Sequence, residues 1–184
     1  MTSAGLHSPE VGRRFVEPEA RAPLADEAWI GFGSNLGDRL GHIERALEYF
    51  SSTLVEVSPI FETSPWGLVD QPWFLNGVVR LEWSDSPQEL LDACLRCEQR
   101  LGRVRGERNG PRIIDLDVLL VGTMRCERRG LSLPHPGLAS RRSVLEPWAL
   151  LAPELRVPGY DCTLWQLRQR SLSLEDQSLR AFAP

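Results

Sequence analysis

The chain has 184 residues, 21 basic and 25 acidic, for a formal net charge of −4; that length suits one domain with tails, able to bury roughly 70% of its unfolded surface without disulfides or a structural metal. All 21 basic residues are Arg, which excludes phosphate-loop NTPases and protein kinases, whose Lys binds nucleotide phosphates, and any Lys Schiff-base mechanism. A hydrophobic fraction of 42% with six Trp excludes wholesale disorder, and no apolar run approaches the ~20 residues of a membrane-spanning helix.

Residues 1–27 read as a flexible tail: Pro9, Pro18 and Pro23 break any period, and five acidic residues against three Arg argue against a transit peptide. Residues 28–184 then form a single domain in a cytoplasmic protein. Ala28 to Gly33 is a short strand ending in a turn at Ser34-Asn35. Asp38 caps a helix in which Leu40, Ile43, Ala46, Leu47 and Phe50 recur at helical spacing. Thr53 to Glu62 reads as a strand, 63–72 as a loop, and Phe74 to Trp83 as the next strand. Ser86-Pro87-Gln88-Glu89 is a capping box with Pro at the first helical position, and its helix runs to Gly102. Ile113 to Val121 is an apolar strand containing two aspartates. A hairpin-like segment to Leu133 and helices near 138–151 and 163–170 complete the chain.

The order β-α-β-β-α-β over residues 28–121 predicts an α+β fold, a ferredoxin-like split βαβ unit with an antiparallel sheet, helices on one face, and a C-terminal hairpin and helices appended. A dinucleotide-binding βαβ unit is excluded because Leu36 stands where its third glycine would fall. Cys94-Leu-Arg-Cys97 has the spacing of a redox pair or half a zinc site, yet it lies within a helical pattern and no His completes it. These cysteines read as core.

Five Arg (100, 103, 105, 108 and 112) fall within thirteen residues around a Gly-rich loop. Beside them stands Asp115-Leu116-Asp117. Residues i and i+2 of a strand share a face, so the two carboxylates project together and need a cation. Hard oxygen ligands on one face suit Mg²⁺, which completes its shell with water and substrate phosphates. The pair of features reads as a metal-assisted phosphate-transfer site. His135, between two prolines, with Arg141-Arg142 opening a helical segment, is a candidate phosphate contact. Phe74 and Asn76 share a strand face near Thr63-Ser64-Pro65-Trp66, an aromatic plane beside an amide that suits a flat heterocycle.

Gly33-Ser34-Asn35-Leu36-Gly37-Asp38, Gln71-Pro72 with Phe74-Leu75-Asn76, Gly102-Arg103-Val104-Arg105, Gly110 to Asp117 and Pro134-His135-Pro136 occur in that order. The set closely resembles the 6-hydroxymethyl-7,8-dihydropterin pyrophosphokinases of folate synthesis, over about residues 28–170. The resemblance implies transfer of pyrophosphate from ATP to the pterin hydroxymethyl oxygen with release of AMP, two Mg²⁺ ions, a mobile catalytic loop and no nucleic-acid or membrane partner; the chain is expected to be a monomer. It implies that Asp115 and Asp117 hold the metals and that Arg103 and Arg112 act on the phosphates. Glu98, Arg105, His135 and Arg141 match further ATP contacts. Thr63, Ser64, Trp66, Phe74 and Asn76, with Asp115, match the pterin site. Ser143 stands where the family usually has a second aromatic, Asn109 where some members carry Trp, and Ser64 where Pro is common.

Three other readings compete. Metal-dependent nucleotidyl transfer also uses Gly-Ser and Asp-x-Asp, but its Gly-Ser lies about a dozen residues before the aspartates, whereas Ser34 and Asp115 are 81 apart. A ferredoxin-like RNA-binding module would use the Arg loop and leave the two aspartates without a task. A catalytically weak ATP- and pterin-binding relative would follow from departures such as Ser143.

Overall fold

A computed structural model of the chain describes residues 19–183, apart from Trp66, Leu68, Val69, Arg105, Arg108, Arg129 and residues 173–177. Of the segment read as a tail, residues 1–18 lie outside that description. Arg21 is joined to the body, its N–H donating to the Glu154 carbonyl and its carbonyl accepting from Arg156.

Strand β1 (Glu27–Ser34) is buried along its whole length, the mark of a strand covered on both faces. It lies between β4 (Phe74–Glu82) and β5 (Asp115–Val121), antiparallel to each. The residues between Thr53 and Glu62 form two strands rather than one, β2 (Leu54–Val57) and β3 (Phe61–Thr63), separated at Ser58-Pro59-Ile60 and both paired with β4. Proline cannot donate to a ladder, which explains the break. A strand with no counterpart in the sequence reading, β8 (Leu179–Ala181), pairs with the outer edge of β3, giving the order β5-β1-β4-β3-β8. β6 (Cys126–Arg128) and β7 (Leu131–Leu133) form a separate two-stranded ribbon.

Helices α1 (Arg39–Tyr49) and α2 (Pro87–Arg100) cover one face of the main sheet, burying Ile30, Phe32, Ile43, Leu81, Leu90 and their neighbours. The expectation of helices on one face only is corrected. α3 (Arg142–Leu151) and α4 (Leu164–Ser171) cover the other, where Trp29, Val78, Leu119, Leu145 and Trp148 form a second core. The indoles of Trp29 and Trp148 pack at 5.5 Å. Successive strand side chains alternate between faces, so apolar residues at both parities require two covers. The result is a mixed α/β architecture: an antiparallel sheet with four α-helices among the described residues.

Cys94 and Cys97 are free and buried against the first core. Burial pushes the Cys97 thiol up to about 11, the environment of an inert core cysteine. No helix among the described residues is long and apolar enough to cross a membrane.

Candidate active site

The second core stops short of one end of the sheet, and a cleft opens there. Its floor is backbone: Gly31 and Gly33 of β1 lie opposite Asp117 and Asp115 of β5, and Gly33 lies opposite Asn76 of β4. A Cβ on Gly33 would come 2.7 Å from Asn76 Oδ1. A side chain at Gly33 would therefore displace the amide, and its absence keeps the floor open. Thr63, Ser64, Phe74, Asn76, Arg112 and Ser143 line this part of the cleft.

The turn after β1 sets the geometry of the strand that carries the aspartates. Ser34 and Asn35 are buried. The Ser34 hydroxyl donates to the Ile113 carbonyl at 2.6 Å. Asn35 exchanges two hydrogen bonds with the Arg112 backbone, its Oδ1 accepting from the Arg112 N–H at 2.7 Å and its own N–H donating to the Arg112 carbonyl at 3.0 Å. Asn35 Nδ2 also donates to Gln71 Oε1 and the Pro72 carbonyl, each at 3.0 Å. Gln71 Nε2 in turn donates to the Asn109 carbonyl at 2.9 Å, and Asn109 adopts a positive φ of 60° that asparagine tolerates. Asn35, Gln71 and Asn109 received no role from the sequence. They join three loops, a non-local arrangement that local patterning does not disclose.

Asp115 sits between two guanidiniums, with Arg103 at 2.6 Å from Oδ1 and Arg112 Nε at 3.2 Å from Oδ2. Arg103 also pairs with Glu98 of α2. β5 is an edge strand, and Glu98 Oε1 accepts its Leu116 N–H at 2.8 Å, which ties α2 to the strand. Burial, with the Asp115 charge adding to it, raises the Glu98 carboxyl despite Arg103 and the Leu116 N–H. Burial opposes the charge on Arg103, but Asp115 and Glu98 together hold it above its ordinary value. Arg112 also stacks over the Phe74 ring at 5.3 Å, which joins the carboxylate end of the cleft to its aromatic wall.

Among the described residues Asp117 has one ion-pair partner, Arg141 at 3.2 Å, and keeps about 35% of its side-chain surface exposed. Burial and the Asp115 charge push its carboxyl above the usual aspartate range, against His135, Arg141 and Arg112. His135 lies in an adjoining cavity of about 220 Å³ that Asp117 also lines. Its Nδ1 accepts the Gly137 N–H at 3.1 Å, which leaves the ring proton on Nε2. Burial lowers the imidazole pKa, although Asp117 raises it. Asn76 Nδ2 donates to Thr63 Oγ1 at 2.7 Å.

The expected residues Thr63, Ser64, Phe74, Asn76, Glu98, Arg103, Arg112, Asp115, Asp117, His135 and Arg141 thus line three neighbouring cavities that share Asp117, the largest of about 390 Å³ between Glu98, Arg103 and Arg112. The expected site residues Trp66 and Arg105 lie outside the described residues. No cluster of three or more His, Cys, Asp or Glu of metal-binding geometry occurs among the described residues. Two carboxylates on one strand face nevertheless fit a hard cation that takes its remaining ligands from water and phosphate. Among the described residues three guanidiniums (Arg103, Arg112, Arg141) meet three carboxylates (Glu98, Asp115, Asp117). When all are ionised the group is formally neutral, so a bound polyphosphate would need cations beyond these side chains.

Residues 29–153 match the family model described as 7,8-dihydro-6-hydroxymethylpterin-pyrophosphokinase. A 2-amino-4-hydroxy-6-hydroxymethyldihydropteridine pyrophosphokinase of Methylorubrum extorquens is 41% identical over 136 residues, which cover 72% of this chain and 86% of that protein. The folic acid synthesis protein fol1 of Schizosaccharomyces pombe is 39% identical over 160 residues, which cover 85% of this chain but only 21% of that protein. A solved HPPK-DHPS crystal structure in complex with substrates shares the fold at a TM-score of 0.67 and 12% identity, with 83% of this chain covering 44% of that one. The chain therefore spans about a fifth of the yeast relative and under half of the solved one. Since one family model spans most of β1, the strands β2 to β5 and α3, and the Methylorubrum extorquens relative aligns over most of its own length, the chain belongs to the 7,8-dihydro-6-hydroxymethylpterin-pyrophosphokinase family.

Proposed function

We propose that this chain transfers pyrophosphate from ATP to the hydroxymethyl oxygen of 6-hydroxymethyl-7,8-dihydropterin in folate synthesis, releasing AMP. The observation that carries the reading is the meeting of two recognition surfaces at Arg112. Its guanidinium touches Asp115 on one side and the Phe74 ring on the other.

In this reading the pterin lies against Phe74, Asn76, Thr63, Ser64 and Trp66. The ATP phosphates lie toward Glu98, Arg103, Arg105, Arg112, His135 and Arg141. The alcohol oxygen attacks the β-phosphorus and gives up its proton to solvent water, the bond from that phosphorus to the bridging oxygen of the α-phosphate breaks, and AMP leaves with that oxygen. Negative charge then grows on the transferring and leaving oxygens. Arg103 and Arg112 neutralise it from fixed positions, and holding both substrates in line supplies much of the remaining acceleration. His135, kept neutral, donates through Nε2. Asp115 and Asp117 are the residues that would hold two Mg²⁺, which when bound screen the phosphates and lower the pKa of the alcohol.

The same reading takes residues 28–184 as one cytoplasmic, monomeric pyrophosphokinase domain, to which Arg21 is tied through Glu27 and Glu154. The strand order about β1 and β4 suits a ferredoxin-like core to which α3, α4 and β8 are added.

The test is AMP release from Mg-ATP with and without the pterin alcohol. Wild type should release AMP only with the pterin. Asp117→Ala should lose at least about a hundredfold in rate while keeping its folded circular dichroism. An Asp117→Ala variant that still turns over at the wild-type rate would remove the aspartate pair from the mechanism.

A further inference from the structure

Past the family-matched residues 29–153, the chain returns to the sheet beside the cleft. β8 pairs with β3 in the register Phe61 to Ala181, Glu62 to Arg180 and Thr63 to Leu179. The ladder extends beyond the named strands: the Ser64 N–H donates to the Ser178 carbonyl at 2.9 Å, the Ser178 N–H donates to Ser64 Oγ at 3.0 Å, and the Phe182 N–H donates to the Ile60 carbonyl at 2.9 Å. We propose that residues 178–182 are a positioning strap for the pterin pocket, fixing the Thr63–Ser64 wall from outside through their pairing with β3.

β3 has only three residues and one other neighbour, β4. A strand this short gains little from its own ladder, and without β8 its outer edge would be open. Ser64 would then be the first residue of a loop held on one side only. With β8 in place, Ser64 is held at both its N–H and its hydroxyl. Thr63, 2% exposed, directs Oγ1 at Asn76. The far end of the same loop is gripped from the opposite face of β3. Glu62 accepts from Arg39 at 2.8 Å, and Arg39 also donates to the Trp73 carbonyl at 2.8 Å. Arg180 pairs with Glu62 and lies over the Trp73 ring at 5.3 Å, next to Phe74. Arg180 keeps 70% of its side-chain surface, so its ion pair is minor. The main-chain pairing carries the effect.

The proposal rests on the pyrophosphokinase reading. It is tested with Ser178→Pro, which deletes the N–H that donates to Ser64, with Ser178→Ala, which keeps it, and with Arg180→Pro, which deletes a ladder N–H. Both proline variants should raise KM for 6-hydroxymethyl-7,8-dihydropterin about fivefold, with kcat and the affinity for a non-hydrolysable ATP analogue changed by less than about twofold. Ser178→Ala should match wild type. An unchanged pterin KM in both proline variants would overturn the strap, as would equal losses in kcat and ATP affinity, which mark general loosening. A wild-type protein that neither binds the pterin nor releases AMP would instead remove the pyrophosphokinase reading, and the strap with it.

Discussion

The smallest residues in the cleft do as much as its charges. Gly33 has no side chain because Asn76 Oδ1 already occupies the space where one would stand, and Asn76 is fixed in turn by its 2.7 Å hydrogen bond to Thr63. Gly33→Ala forces the amide to rotate and break that bond. Its expected signature is a pterin KM raised about tenfold, with ATP affinity and kcat little changed, because one oriented hydrogen-bonding group is lost from one substrate only. Steady-state kinetics with each substrate varied in turn checks this. A fall in melting temperature without a change in KM would mean that the amide serves the fold rather than the substrate. The aspartates differ for a comparable local reason. Among the described residues Asp115 is enclosed by two guanidiniums, whereas Asp117 has one and faces the open cleft. Asp117 therefore has the greater unmet need for a cation.

At the level of elements, α2 brings Glu98 to the site and its start is built into the sequence. Ser86 Oγ accepts the Glu89 N–H at 3.3 Å, and Glu89 Oε2 accepts the Ser86 N–H at 2.8 Å, with Pro87 in the first turn. Ser86→Ala should lower the melting temperature by about 2–4 °C. AMP release should stay at the wild-type rate, because Glu98 lies three turns further on. A calorimetric scan beside an activity assay separates the two effects. This box was legible because capping is local chemistry, and the same-face placement of Asp115 and Asp117 was legible because strand periodicity is local too. The helices near 138–151 and 163–170 were legible, but not the sheet face that they cover, although Leu119-Leu120-Val121 already carried that signal. An apolar run without alternation asks for cover on both faces. Pro59 likewise marked the break between β2 and β3. The pairing of β8 with β3 had no such marker: it joins residues 118 apart in sequence at Glu62 and Arg180, and three-residue strands have too little periodicity to be seen. The resemblance put Arg103, Arg112 and Arg141 at the same ATP site as the two aspartates, but neither it nor the spacing says which arginine meets which aspartate.

Across the whole molecule, one charged cluster joins the start of β1 to the segment that links α3 and α4. Glu27, 2% exposed, accepts two hydrogen bonds from Arg21, both at 2.9 Å, and one from the Leu24 N–H at 2.8 Å. Arg21 Nε reaches on to Glu154 at 2.8 Å. Burial alone would raise the Glu27 carboxyl. Arg21, the Leu24 N–H and the charge of Arg80 outweigh it and hold the carboxyl below the usual glutamate range. A carboxyl lowered in the folded state binds fewer protons than in the unfolded state. Its stabilisation is therefore fully present above the unfolded value of about 4.3 and is lost as pH falls through the lower folded value. Glu27→Gln should then cost about 1–2 kcal/mol at pH 7, a charged hydrogen-bonded pair discounted for the partial exposure of Arg21. The gap from wild type should close as pH falls below about 4. Urea unfolding of both proteins between pH 3 and 7 measures the gap directly. A gap independent of pH would mean that the carboxyl acts through shape rather than charge. The cluster lies at the end of β1 away from Gly33, so the variant's AMP release at pH 7 should match wild type, which separates the stability of the scaffold from the chemistry of the cleft.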